Sequence, residues 1–171
     1  MLPSGLPMLH PQPIIAAAAL AAVLLFAQAP LAAAPDAANP FDVMEGSWSG
    51  NGSITLGSGD KERIRCRANY IVDGNRVRQD LRCASDSYKF EMQNDLTYNE
   101  GQVNGNWNEV TRRASGRIYG RFSAGRIEAM AETSGFAATF VLTTRGDQQT
   151  VKIESKSPDI SNVSISLRRS N

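Results

Sequence analysis

From Trp48 to the C-terminus, apolar and polar side chains alternate with a period of two. Ile64, Cys66, Ala68, Tyr70 and Val72 share one face of a segment whose other face carries Arg63, Arg65, Arg67 and Asn69. Such alternation marks a strand with one buried side. Asp73-Gly74-Asn75 then supplies a hairpin-type turn. Beyond it Val77, Gln79, Leu81 and Cys83 alternate with Arg76, Arg78, Asp80 and Arg82. Tyr88, Phe90, Met92 and Leu96 continue the inner face against Lys89, Glu91, Gln93 and Asp95. Turn residues break the later runs at Glu100-Gly101, Ala114-Ser115, Ala124-Gly125, Ser134-Gly135, Arg145-Gly146-Asp147 and Ser157-Pro158-Asp159. No segment after the N-terminal region has a helical period. The pattern predicts an all-β fold, a single antiparallel up-and-down barrel of about 8–10 strands, because closure leaves no exposed edge. Gly105, Gly116, Gly120 and Gly135 fall in or beside strands, where a glycine marks either a bend of the sheet or the end of a strand.

The N-terminus reads differently. Ile14 to Ala34 is an apolar run ending in small residues, which predicts a signal peptide over residues 1–34, cut near Ala33 or Ala34. The region before the run has no Lys or Arg, and Met8 is an alternative start. An uncleaved membrane anchor is the competing reading, since the run is about long enough to span a bilayer. Residues 35–45, opening Pro35-Asp36-Ala37-Ala38-Asn39-Pro40, are expected to link the signal to a barrel over residues 46–171. Cleavage implies a periplasmic or secreted protein with no stable membrane span.

Removal of residues 1–34 also removes His10, the chain's single histidine. That excludes Ser-His and Cys-His nucleophiles and imidazole-ligated haem or zinc. The remaining ~135 residues fit one domain. The net charge of +1 argues against nucleic acid as a partner. No phosphate-binding loop, metal-ligand cluster or nucleophile motif is present. Asp95 and Glu109 are the one imaginable acid/base pair, and nothing in the sequence fixes their separation. The expectation is a non-enzyme with no catalytic residue, metal or cofactor.

Cys66 and Cys83 are the only cysteines. Pairing Val72 with Val77, across a four-residue loop from Asp73 to Arg76, puts both thiols opposite each other on the inner face. An oxidising compartment would join them; two free buried thiols are the alternative. The same register sets Arg67 against Arg82 on the outer face, with Arg65 and Arg78 nearby. Like charges so placed need neutralising. Neighbouring acids would do it, or an external anion or acidic protein partner. Arg112, Arg113, Arg117 and Arg121 form a second basic stretch.

The first strand opens Gly46-Ser47-Trp48-Ser49-Gly50-Asn51-Gly52. A Gly-x-Trp there, followed by an antiparallel barrel, resembles the calycin superfamily of lipocalins, fatty-acid-binding proteins and avidins. The fuller Gly-x-Trp-x-Gly-x-Gly form is similar to the haem-binding nitrobindin group. The resemblance implies a closed barrel end where a late-strand basic residue covers Trp48: Arg168, or its neighbour Arg169. Haem binding is not carried over, because the nitrobindin histidine has no counterpart here. Avidins ring biotin with several tryptophans, and this chain offers Trp48 and Trp107. LRCASDSYKF and GNWNEVTRRASGRIYGR also resemble uncharacterised exported proteobacterial proteins, a likeness that implies no activity.

A barrel of this size either encloses a cavity or fills with side chains. If hollow, Tyr70, Gln79, Asn94, Trp107 and Glu109 are expected to line a site for a small apolar or amphipathic ligand. If filled, the outer face is expected to act, with Arg65, Arg67, Arg78 and Arg82 meeting an envelope protein, as in an inhibitor of an exported hydrolase.

Overall fold

A computed structural model describes residues 39–170. The expected signal peptide and the first part of the expected linker lie outside the described residues. Ten strands follow a short 3-10 turn at Asp42–Met44. They are β1 (Gly46–Leu56), β2 (Lys61–Asp73), β3 (Arg76–Ala84), β4 (Lys89–Asn99) and β5 (Gln102–Glu109). The second half comprises β6 (Ala114–Ser123), β7 (Arg126–Thr133), β8 (Phe136–Arg145), β9 (Gln148–Ser155) and β10 (Ile160–Arg169). Each strand pairs antiparallel with the next, and β1 pairs with β10 to close the barrel. The all-β, up-and-down barrel read from the alternation is the observed fold.

Closure depends on bending. At Gly105, Gly116 and Gly120 a Cβ would lie 2.0, 2.0 and 2.2 Å from a carbonyl oxygen of the neighbouring strand. Backbones approach this closely only where a side chain is missing. Two turns sit differently from expectation. Pairing in the β2–β3 hairpin runs on to Asp73↔Arg76, leaving Gly74-Asn75 as a two-residue turn. Ala114 and Ser115 belong to β6, and the β5–β6 turn falls at residues 110–113 with Arg113 at φ 57°.

Cys66 and Cys83 are direct register partners and form a disulfide spanning 17 positions. Both are buried among the core side chains. The linker expectation needs correcting at its C-terminal end. Phe41 and Met44 are buried at 0% and 2% exposure, so the segment before β1 is part of the core rather than a tether. The Phe41 ring meets Tyr98 edge-on at 6.4 Å, and Tyr98 meets Phe122 at 6.0 Å. This stack fills one end of the barrel.

Candidate functional site

The plugged end is locked by one arginine. Trp48 and Arg169 are register partners on β1 and β10, so their side chains share the inner face. The Arg169 guanidinium stacks 4.3 Å from the Trp48 ring centre. It donates to the Val43 carbonyl at 2.8 Å, to the Glu45 carbonyl, and to Asp147 Oδ1 at 3.2 Å. Trp48 Nε1 donates to the Met44 carbonyl at 2.7 Å. Of the two arginines expected in this role, Arg168 lies exposed on the outer face opposite Ser49 and Gln148. The correction follows from strand parity: the side chain one position away points to the other face.

Above the plug runs a chain of buried polar side chains from β8 to β4. Gln149 Nε2 donates to Thr144 Oγ1 at 3.1 Å, and Tyr70 Oη donates to Gln149 Oε1 at 2.7 Å. Gln79 Nε2 donates to Tyr70 Oη at 2.7 Å, and Asn94 Nδ2 donates to Gln79 Oε1. Burial drives the Tyr70 phenol well above its usual range, so it remains a neutral donor. A buried network of this kind is stable only when nearly every member is satisfied. Here the chain is satisfied link by link up to Asn94, whose Oδ1 has no partner.

Asn94 lies on the wall of an apolar cavity of about 420 Å³ that occupies the other half of the barrel. The volume is within the ~300–1,000 Å³ typical of small-molecule sites. Aromatic side chains form part of the wall, with Trp107 and Phe136 in edge contact at 5.7 Å. The space itself comes from small residues. Ala131 and Ala138 face each other across β7 and β8, and Ile118 is the partner of Ala131 on β6. Gly116 instead seats the wall: its Cβ would sit 2.8 Å from Trp107 Nε1, so the indole occupies the volume of the missing side chain.

The rim is braced by Glu109. Its Oε1 accepts from the Glu91 amide at 3.0 Å and from Thr111 Oγ1 at 2.7 Å, and its Oε2 accepts from the Arg112 amide at 2.6 Å. Burial raises the carboxyl's affinity for a proton, but these hydrogen bonds and the Arg112 charge outweigh it, so the group is held below the usual carboxylate range. Arg112 lies 4.2 Å over the Tyr88 ring and donates to the Lys89 carbonyl at 3.2 Å. Tyr88 and Arg112 thereby flank the mouth.

Four of the five expected ligand residues, Gln79, Asn94, Trp107 and Glu109, are brought together on the cavity wall. Tyr70 lies beneath it as a link in the polar chain, and Glu109 is largely occupied by its own loop. Sequence reasoning missed Gln149, Thr144, Arg112 and the paired alanines. Parity from Val151 and Leu142 points Gln149 and Thr144 inward, so that signal was present. Asp95 and Glu109 do not meet: Asp95 faces outward and pairs with Arg76 at 3.4 Å, while Glu109 is inside. On the outer face Arg67 and Arg82 are direct partners, and Arg82 has Glu91 at 3.5 Å. Arg78 stands opposite Asp95, Arg65 opposite Ala84. In the second basic stretch, Arg117 has Glu132 at 4.0 Å.

No family model matches the sequence, and no curated protein matches it. Solved structures do. Rv2717c from M. tuberculosis aligns with a TM-score of 0.62 at 12% identity, covering 78% of this chain and 99% of that one. The S-type phycobiliprotein lyase CPES from Guillardia theta aligns at 0.56 and 12% identity, covering 77% and 90%. At such identity these likenesses bear on the fold alone.

Proposed function

We propose that this protein is a non-catalytic, exported barrel that binds a small apolar or amphipathic ligand inside its open half. The observation that carries the reading is the apolar cavity of about 420 Å³, lined by Ala131 and Ala138 where larger residues would have filled the core. A barrel selected only for stability gains from filling such space, since each void forfeits packing contacts. The likeness to a phycobiliprotein lyase is compatible with ligand binding. The disulfide supports an oxidising compartment. Among the described residues no helix is long and apolar enough to cross a membrane.

Trp107 on the wall makes the test direct. Titration with hydrophobic dyes and lipids should shift or quench tryptophan emission saturably, and Ala138→Phe should abolish the effect while the barrel stays folded. No response across a broad panel, or an unchanged response in Ala138→Phe, refutes the reading. One observation favours a second reading, in which the outer face meets an envelope protein: Arg67 and Arg82 are directly opposed, and the ion pair formed there is between Arg82 and Glu91. Arg67→Glu with Arg82→Glu should then abolish capture of a defined acidic partner without loss of stability. Retained capture sinks it.

A further inference from the structure

Two cavity-lining residues carry buried polar atoms with no hydrogen-bond partner: Asn94 Oδ1 and Trp107 Nε1. They are direct register partners on β4 and β5. One is an acceptor and the other a donor. Atoms buried without partners are costly, and native proteins keep few of them. The Asn94 side chain is held in place. Its amide nitrogen is engaged with Gln79, Gln79 with Tyr70, and Tyr70 with Gln149, which leaves the oxygen as the end without a partner. The Trp107 indole is likewise fixed, by Phe136 on one side and by the gap above Gly116.

Charge narrows the complement. Among the described residues lining the cavity Arg112 is the one cation, and it is engaged at the rim by Glu109 and Tyr88. An anionic group pushed inward would meet no counter-charge, which is strongly unfavourable. Resting on the reading that the cavity holds a ligand, we infer that it selects neutral, mainly apolar molecules bearing one group that both donates and accepts, a hydroxyl or a carboxamide. That group gives its hydrogen to Asn94 Oδ1 and takes the Trp107 N–H.

A matched set of bicyclic probes separates this inference from the reading beneath it. Naphthalene, 2-naphthol, 2-naphthamide and 2-naphthoate are titrated against the disulfide-bonded protein at pH 7, by calorimetry or dye displacement. The naphthol and the amide should bind about tenfold more tightly than naphthalene, and the naphthoate about a hundredfold more weakly than the amide. Asn94→Leu keeps the side chain's size and should reduce the naphthol advantage to within about twofold while naphthalene still binds. Trp107→Phe, which keeps an aromatic ring and removes the N–H, is the second variant, and naphthalene binding certifies that either is folded. Equal affinity for naphthalene and naphthol in the wild type means that water serves both atoms, and overturns the inference. So does tightest binding of the naphthoate, or an undiminished naphthol advantage in both variants. In these cases the ligand-binding reading stands. If none of the four probes binds, that reading fails, and the inference with it.

Discussion

Replacing Arg169 should open the plugged end, and its magnitude can be built from the contacts. The guanidinium covers Trp48 at 4.3 Å and bonds the carbonyls of Val43 and Glu45, with its side chain 29% exposed. A partly desolvated cation–π contact is worth about 1 kcal/mol. Each hydrogen bond from the charged group to a carbonyl adds about 1 kcal/mol, at the low end of the range because water still reaches the head. The bond to the exposed Asp147 adds little. Arg169→Ala should therefore cost about 3 kcal/mol, whereas Arg168→Ala, removing an outward side chain, should stay within ~0.5 kcal/mol. Urea unfolding followed by tryptophan emission measures both, the slope testing whether the transition remains two-state. The Trp48 environment should also become more polar in the Arg169 variant. A loss below ~0.5 kcal/mol for Arg169→Ala, or equal losses for the two variants, would refute the assignment of the closing role to Arg169.

Reduction or double replacement of Cys66 and Cys83 by alanine should lower stability by about 3 kcal/mol, as the chain-entropy model gives for a loop of this size; an unchanged denaturation midpoint counts against it. Tyr70→Phe leaves Gln149 Oε1 and Gln79 Nε2 unserved and should cost about 2 kcal/mol by the same urea titration. The carboxyl of Glu109 is held below the usual range in the folded state. Its stabilisation is therefore complete above the unfolded carboxylate range and disappears as pH falls through the folded value. Glu109→Gln should flatten the acid limb of the stability–pH curve, and an acid limb identical to wild type would show that this carboxyl does not brace the rim.

Most of the fold was legible because the inner and outer faces of each strand differ so sharply. The alternation from Ile64 to Cys83 carries the register in which the two cysteines meet, and that register is the one observed, closed by a tighter turn than expected. The same parity rule, extended along the last strand from Ile165 through Leu167, selects Arg169 over Arg168 as the partner of Trp48. What parity cannot reveal is contact between elements distant in sequence. Phe41 precedes the alternating region and looks like linker, yet its ring packs against Tyr98 of β4, a contact that no local pattern announces. The void beside Ala131 and Ala138 is likewise a property of several strands together. Each alanine taken alone is an unremarkable small inward residue.

The distribution of side-chain size along the barrel explains why its two ends behave differently. Near the plug the inner positions hold Trp48, Tyr70, Leu96, Phe122 and Leu167, and the segment before β1 adds Phe41. Toward the mouth β6, β7 and β8 contribute Gly116, Ala131 and Ala138. Ten strands make a wider barrel than eight, so small residues on one side of it cannot be offset by their neighbours across the interior. Stability is thus concentrated where the aromatic stack, the Arg169 lock and the polar chain coincide. The open half is held instead by the Cys66–Cys83 bond on one wall and the Glu109 brace on another. Neither fills the interior. A ligand can enter the open half without disturbing the packing that keeps the sheet closed, and its binding should leave the Trp48 environment unchanged while altering that of Trp107.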